Sequence, residues 1–120
     1  HRMEFENKKR PDRVASLIQE ELSQLLHREI EFPAGVLITI VSVDVDKKMS
    51  RALVGVSVYP KEHIEGAIRR LERATGYLGG LLRKKLNIKP MPEIMFRLDR
   101  GFENAAEVER ALLHGENGAE

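Results

Sequence analysis

Three aspartates are the residues of this 120-residue chain whose types and spacing could by themselves do chemistry. Asp44 and Asp46 lie two apart in a predicted strand, so their carboxylates share one face, and Asp99 follows a later apolar run. Carboxylates gathered in this way could hold a divalent cation. We favour the alternative, in which they solvate a strand end and a turn, because no other catalytic group accompanies them.

Other catalytic patterns are missing from the sequence. His27, His63 and His114 are far apart and have no metal-ligand spacing, and no serine stands in a nucleophile elbow. The chain has no cysteine, which excludes disulfides and thiol nucleophiles and fits a reducing compartment. Its glycines match neither of the common nucleotide-binding motifs. We therefore expect no enzymatic activity, no metal and no cofactor.

Clustered positive charge is the feature that remains. The formal net charge is only +1, yet residues 66–89 contain seven cations and a single acid, Glu72, whereas residues 99–120 contain six acids and two arginines. A row of cations binds phosphates through counterion release, so this segment predicts a nucleic-acid surface. RNA is favoured over duplex DNA because no helix-turn-helix or zinc-finger pattern is present. A helix face that charge merely keeps soluble is the alternative. The seven cations are Arg69, Arg70, Arg73, Arg83, Lys84, Lys85 and Lys89.

Apolar periodicity predicts the elements that position these charges. A helix begins at Pro11 and Asp12, and strands at 36–45 and 51–59 form an antiparallel hairpin around a polar turn. A third strand follows at 94–98, and a weaker acidic helix at 103–113. The buried stripe of the first helix is predicted to contain Val14, Leu17, Ile18, Leu22, Leu25 and Leu26.

The basic segment has helical periodicity from residue 61 to 86, but Gly76, Gly79 and Gly80 interrupt it. Each glycine costs about 1 kcal/mol relative to alanine inside a helix. We therefore predict two helices that meet in a bend at Gly76. Either a phosphate or another backbone approaches this bend closely, or the bend packs tightly on the sheet, and the sequence leaves both explanations open.

The predicted order is α-β-β-α-α-β followed by a C-terminal helix. It indicates a two-layer α+β domain, with helices on one face of a three-stranded mixed sheet. We expect this domain to span residues 8–113, with flexible termini at 1–7 and 114–120. No apolar run approaches the ~20 residues that a membrane span requires, so we expect no membrane association. We also expect a cytoplasmic location, and a monomer because nothing in the sequence demands a larger assembly.

The order of elements and several short motifs resemble a known family. The order is that of type II KH domains, although the Gly-x-x-Gly loop with which those domains bind RNA is missing. Ala74-Thr75-Gly76 instead looks like the Ala-x-Gly interhelical kink of the bacterial ribosome-binding factor A family. The resemblance extends from about Arg10 to about Leu113. Its other motifs are the segments 10–14, 18–22, 38–43, 52–58, 78–86 and 92–94.

The resemblance implies a small, non-catalytic factor that binds the free 30S ribosomal subunit and its 16S rRNA late in assembly. Members assist maturation of the 5′ end of the rRNA and matter for growth in the cold. The kink corresponds to Ala74, Thr75 and Gly76, and the family's RNA-facing helices correspond to the basic segment that contains Arg69 and Lys85. The N-terminal residues that fall where the family is also basic are Lys8, Lys9, Arg10 and Arg13.

Two other interpretations remain open at this point. The chain could be a protein-interaction module whose acidic C-terminal helix docks on a partner, or a general RNA-binding protein without a ribosome-specific role. An enzyme with a divalent metal on Asp44, Asp46 and Asp99 is a third, weaker alternative.

Overall fold

The computed structural model describes residues 9–99 of the chain. In this part, two helices pack on one face of a three-stranded sheet, which confirms the predicted two-layer α+β class. The predicted helix at 103–113, the expected termini and Lys8 lie outside the described residues. The elements in chain order are α1 (Arg10–Glu29), β1 (Leu37–Val45), β2 (Arg51–Tyr59), a 3₁₀ turn (Lys61–His63), α2 (Ile64–Leu86) and β3 (Glu93–Leu98).

β2 is the central strand of a mixed sheet, as predicted. It pairs with β1 in antiparallel and with β3 in parallel orientation, because β3 is reached through the long crossover of α2. The β1–β2 register slips between Ile40 and Ser42, which marks a bulge that the sequence did not indicate. Gly55 leaves room for a neighbouring side chain at the centre of the sheet, since a Cβ there would lie 2.8 Å from the Ser42 Oγ and would force that side chain to move.

The core lies between the helices and the inner face of the sheet. The inward positions of β2 are small or β-branched and belong to this core, while α1 packs mainly on β1 and α2 mainly on β3. Leu17 was wrongly predicted to belong to this stripe, because it is 44% exposed. Truncation of the largest fully buried side chains should destabilise the fold most. These are Ile18, Leu22, Leu26, Val54, Val56, Leu71, Leu78 and Leu82.

The basic segment forms one helix rather than two. α2 runs without interruption from Ile64 to Leu86, through all three glycines, so the predicted division into two helices at Gly76 is wrong. Four buried residues at helical spacing, two on each side of Gly76, hold both halves of α2 against the same core. This continuous packing outweighs the low helix propensity of glycine, which is a weak local preference. α2 ends where Asn87 adopts the left-handed conformation, with φ of 55°.

The β1–β2 turn uses one of the three aspartates. The Asp46 Oδ1 accepts hydrogen bonds from the backbone N–H groups of Ser50 (2.7 Å) and Arg51 (3.0 Å). These bonds, led by that from Arg51, lower the pKa of Asp46 below its ordinary value. Asp46 therefore closes the turn, as the favoured interpretation of the sequence had it.

Candidate nucleic-acid interface

One face of α2 carries a row of cations that points away from the core. At 3.6 residues per turn, Arg69, Arg73, Arg83 and Lys84 fall within about 100° of arc, opposite the buried Leu71 and Leu78. We call these four residues the basic ridge. It extends for about 22 Å along the helix, at 1.5 Å per residue. All four residues are exposed, so the ridge can contact an extended polyanion.

The charge of the basic ridge is hardly neutralised by the part of the chain that the structure describes. Arg69 Nη1 lies 3.7 Å from Glu65 Oε2, and both side chains are largely exposed. Such a surface pair contributes little and readily exchanges for a phosphate. Within residues 9–99, Arg73, Arg83 and Lys84 form no ion pair. Among the described residues, the ridge is therefore a cationic surface rather than a set of internal salt bridges.

Arg70 and Tyr77 point to one side of the ridge, toward the end of α1. Arg70 Nη1 donates to the Glu31 carbonyl oxygen (3.1 Å), and the Tyr77 hydroxyl donates to Glu29 Oε1 (2.8 Å). The hydrogen bond to the Glu29 carboxylate raises the pKa of Tyr77, which keeps the phenol neutral. Arg70 is thus partly committed to holding the two helices together.

The N-terminal cations meet the far end of α2. Arg10 Nη2 donates to the Lys89 carbonyl oxygen (3.0 Å), which brings the start of α1 beside the residues that follow α2. Lys9, Arg10 and Lys89 are exposed at this junction. The basic surface therefore extends from Arg83 and Lys84 toward α1, whereas Arg69 and Arg73 lie at the opposite end of the ridge. The remaining predicted cations, Arg13 and Lys85, are also exposed in this region.

The residues of the predicted kink are not equivalent. Ala74 packs against the core, and the Thr75 hydroxyl donates to the Leu71 carbonyl oxygen (3.0 Å), so neither belongs to the ridge. Gly76 is exposed on the ridge side of α2. A Cβ added at Gly76, Gly79 or Gly80 would meet nothing within 4 Å. Tight packing on the sheet, one of the two explanations for the glycines, is therefore wrong.

The described residues do not gather a set of metal-binding side chains. Within residues 9–99, no group of three His, Asp or Glu side chains could hold a metal ion, so the predicted alternative with Asp44, Asp46 and Asp99 is wrong. An open groove of about 740 Å³ lies beside the N-terminal half of α2. Its lining combines the apolar Ile64, Ile68 and Leu98 with five charged side chains, and no Ser, Thr, Cys or His is found among its described lining residues. In the same part of the chain, neither helix is long and apolar enough to cross a membrane.

Two features of the interface were missed from the sequence. The Arg10–Lys89 contact joins residues that are 79 positions apart, and the Tyr77–Glu29 contact joins residues that are 48 apart. Only the tertiary packing of α1 against α2 brings these residues together. In the sequence alone, Tyr77 is distinguished only as the one aromatic residue of the basic segment 66–89.

The class of protein follows from this architecture. A mixed three-stranded sheet with two helices on one face and the order α-β-β-α-β is consistent with the KH-like fold, and its longest helix carries the exposed cations. The sequence model described as "Ribosome-binding factor A" matches residues 10–112. The chain belongs to the ribosome-binding factor A family.

Similar sequences and solved structures agree with this assignment. The ribosome-binding factor A of Caldicellulosiruptor saccharolyticus is 35% identical over 114 residues, which cover 92% of this chain and 82% of that protein. The protein of the same description from Ectopseudomonas mendocina is 37% identical, with 86% of each chain covered. The crystal structure of ribosome-binding factor A from Thermus thermophilus superposes with a TM-score of 0.65 at 25% identity, covering 73% of this chain and 93% of that one.

A second structure includes a ribosomal context. It is a homology model of the Thermus thermophilus ribosome-binding factor A, fitted into the cryo-EM map of a 30S complex of that protein. It matches with a TM-score of 0.56 at 29% identity and covers 70% of this chain and 93% of that one.

Proposed function

We propose that this chain is a ribosome assembly factor that binds the free 30S subunit through its 16S rRNA, with the basic ridge against RNA phosphates. The observation that carries this proposal is the row of Arg73, Arg83 and Lys84 on an exposed helix face, where no carboxylate of residues 9–99 pairs with them. Because the helix already fixes the backbone and the spacing of these side chains, only the side chains must become ordered when the row binds a polyanion. The cations at the junction of α1 and α2 extend the same surface.

The family relationship supports the choice of the small subunit. The Thermus thermophilus relative was fitted into the map of its complex with the 30S subunit. We extend that partner to this chain on the basis of the shared family and fold.

The finer steps of the function form part of the same proposal. We infer that the protein acts late in maturation in the cytoplasm, assists processing of the 5′ end of 16S rRNA and is important for growth in the cold. Deleting the gene should therefore enrich 16S rRNA with an extended 5′ end, as read by primer extension, and slow growth more at low temperature. A mutant with mature 5′ ends and no cold-specific defect would contradict these steps while leaving subunit binding intact.

Reversing the charge at one end of the ridge tests the interface. The variant Arg69→Glu, Arg73→Glu should fold, because both side chains are exposed, and should lose most of its binding to free 30S subunits in a pull-down. The matched control is Lys47→Glu, Lys48→Glu, which makes the same charge change on the exposed β1–β2 turn and should bind almost normally. Equal binding by the two variants would refute the assignment of this face.

Sedimentation separates the proposed role from the two open alternatives. The protein should co-sediment with free 30S subunits in the presence of excess unrelated RNA, and not with complete ribosomes. A general RNA-binding protein would sediment with both particles and be displaced by the competitor. A protein-interaction module would not bind rRNA alone. If it bound the subunit, the ridge substitutions would not change that binding.

A further inference from the structure

Tyr77 stands beside the basic ridge with its ring unusually accessible. The residue is 57% exposed, although its hydroxyl is hydrogen-bonded to Glu29. Glu29 is itself oriented by Arg28, whose Nε lies 3.5 Å from the other carboxylate oxygen. If the side chain served only to link the two helices, burying its ring would stabilise the fold further. This ring is instead fixed at its tip while much of its surface faces solvent.

The neighbours of Tyr77 on α2 leave that surface open. In a helix, the side chain of a residue leans over the turn that precedes it, so the residues three and four positions later could cover Tyr77. The first is Gly80, which has no side chain, and a Cβ added there would meet nothing within 4 Å. The second is Leu81, which packs against the core instead. Gly76, the residue before the tyrosine, is bare as well.

Cations flank the ring along the helix. Arg73 lies one turn before Tyr77 and Lys84 lies two turns after it, both on the ridge. An exposed aromatic ring between cations is the arrangement with which proteins bind unpaired RNA, since the base stacks on the ring while the adjoining phosphates contact the cations. A fully paired duplex offers no free base for this contact.

We propose that Tyr77 is a stacking platform for one unpaired base of the bound RNA, with the neighbouring phosphates on Arg73 and Lys84. The inference rests on the proposed function and narrows its ligand to RNA with a bulged, looped or single-stranded base. The hydrogen bond from the Tyr77 hydroxyl to Glu29 is not required for stacking, which uses the face of the ring. Gly80 keeps the ring uncovered.

Tyrosine fluorescence gives a direct readout of this contact. The chain contains two tyrosines and no tryptophan, so in a Tyr59→Phe background Tyr77 is the only tyrosine. The probes are a short single-stranded oligoribonucleotide and the same strand annealed to its complement. The single strand should quench Tyr77 fluorescence much more strongly than the duplex at equal occupancy.

Substitutions separate stacking from a structural tie. Tyr77→Leu should weaken single-strand binding about tenfold and duplex binding much less, whereas Tyr77→Phe, which keeps the ring and loses the hydroxyl, should bind nearly as well as the parent. Gly80→Leu should fold and should reduce both quenching and affinity, because its side chain covers the ring. If Tyr77→Phe loses as much as Tyr77→Leu, the residue is only a tie and the stacking site is refuted.

The test also distinguishes failure of the inference from failure of the proposed function. If the Arg69→Glu, Arg73→Glu variant loses RNA binding while Tyr77→Leu binds like the parent, the basic ridge is supported as the RNA-binding surface and the stacking site is refuted. If neither variant affects binding, the RNA lies elsewhere and both proposals are overturned.

Discussion

Replacing Gly76, Gly79 and Gly80 by alanine should stabilise the folded protein. All three glycines lie inside the continuous helix α2, and a Cβ at each position meets nothing within 4 Å, so no packing cost opposes the change. Alanine is favoured over glycine inside a helix by about 0.5–1 kcal/mol, largely because it restricts the unfolded chain. The three substitutions together should therefore add about 2 kcal/mol to the free energy of unfolding.

Urea unfolding followed by far-ultraviolet circular dichroism measures this gain. The midpoint of the triple variant should rise with an unchanged slope, and its thermal midpoint should rise by about 8 °C. Gly55→Ala is the matched control in the sheet. It should lower the free energy of unfolding, because its Cβ would lie 2.8 Å from the Ser42 Oγ.

A triple variant that is less stable than the parent, or that loses helix signal, would refute this reasoning. Such a result would mean that the chain bends at Gly76 in a way that alanine cannot follow. The division into two helices predicted from Ala74-Thr75-Gly76 would then be the better description of the segment.

Three further substitutions test individual contacts. Asn87→Ala should lower the free energy of unfolding by about 1 kcal/mol in urea titrations, because alanine tolerates the left-handed backbone conformation of this position less well than asparagine does. Asn87→Gly should not lower it, since glycine adopts this conformation freely. Asp46→Ala should lower the free energy of unfolding at neutral pH. Because folding lowers the pKa of Asp46, its contribution to stability is present above the unfolded pKa and is lost as the pH falls through the folded pKa. Plots of unfolding free energy against pH for parent and variant should therefore converge in acid. Arg70→Gln should weaken RNA binding less than Arg73→Gln in filter-binding assays, because Arg70 is already engaged with the Glu31 carbonyl.

Much of the fold followed from local patterns. The boundaries of β2 matched the predicted range of 51–59, and β1 and β3 differed by one residue, because β-branched residues bounded by polar turns identify strands well. The continuity of helix α2 through Gly76 could not be predicted from such local patterns. Glycine propensity is a local quantity, whereas the burial of Leu71 on one side and Leu78 on the other is a property of the assembled core.

The candidate site was predictable in its charges and not in its geometry. The position of Arg69 and Arg73 on the face opposite Leu71 follows from helical spacing, because the period of a helix fixes relative directions. It could not indicate that Arg70 binds the loop after α1, or that Arg10 reaches Lys89. These contacts depend on how α1 crosses α2, which side-chain packing determines.

The salt dependence of 16S rRNA binding tests the central claim most directly. Each phosphate contact contributes about 0.7–0.9 to the slope of log affinity against log salt concentration. Replacing Arg69, Arg73, Arg83 and Lys84 by glutamine should therefore reduce the magnitude of that slope by about 3, while Lys47→Gln, Lys48→Gln should leave it unchanged. A ridge variant that retains the parental slope would contradict the account, because the RNA phosphates would then be bound by another surface.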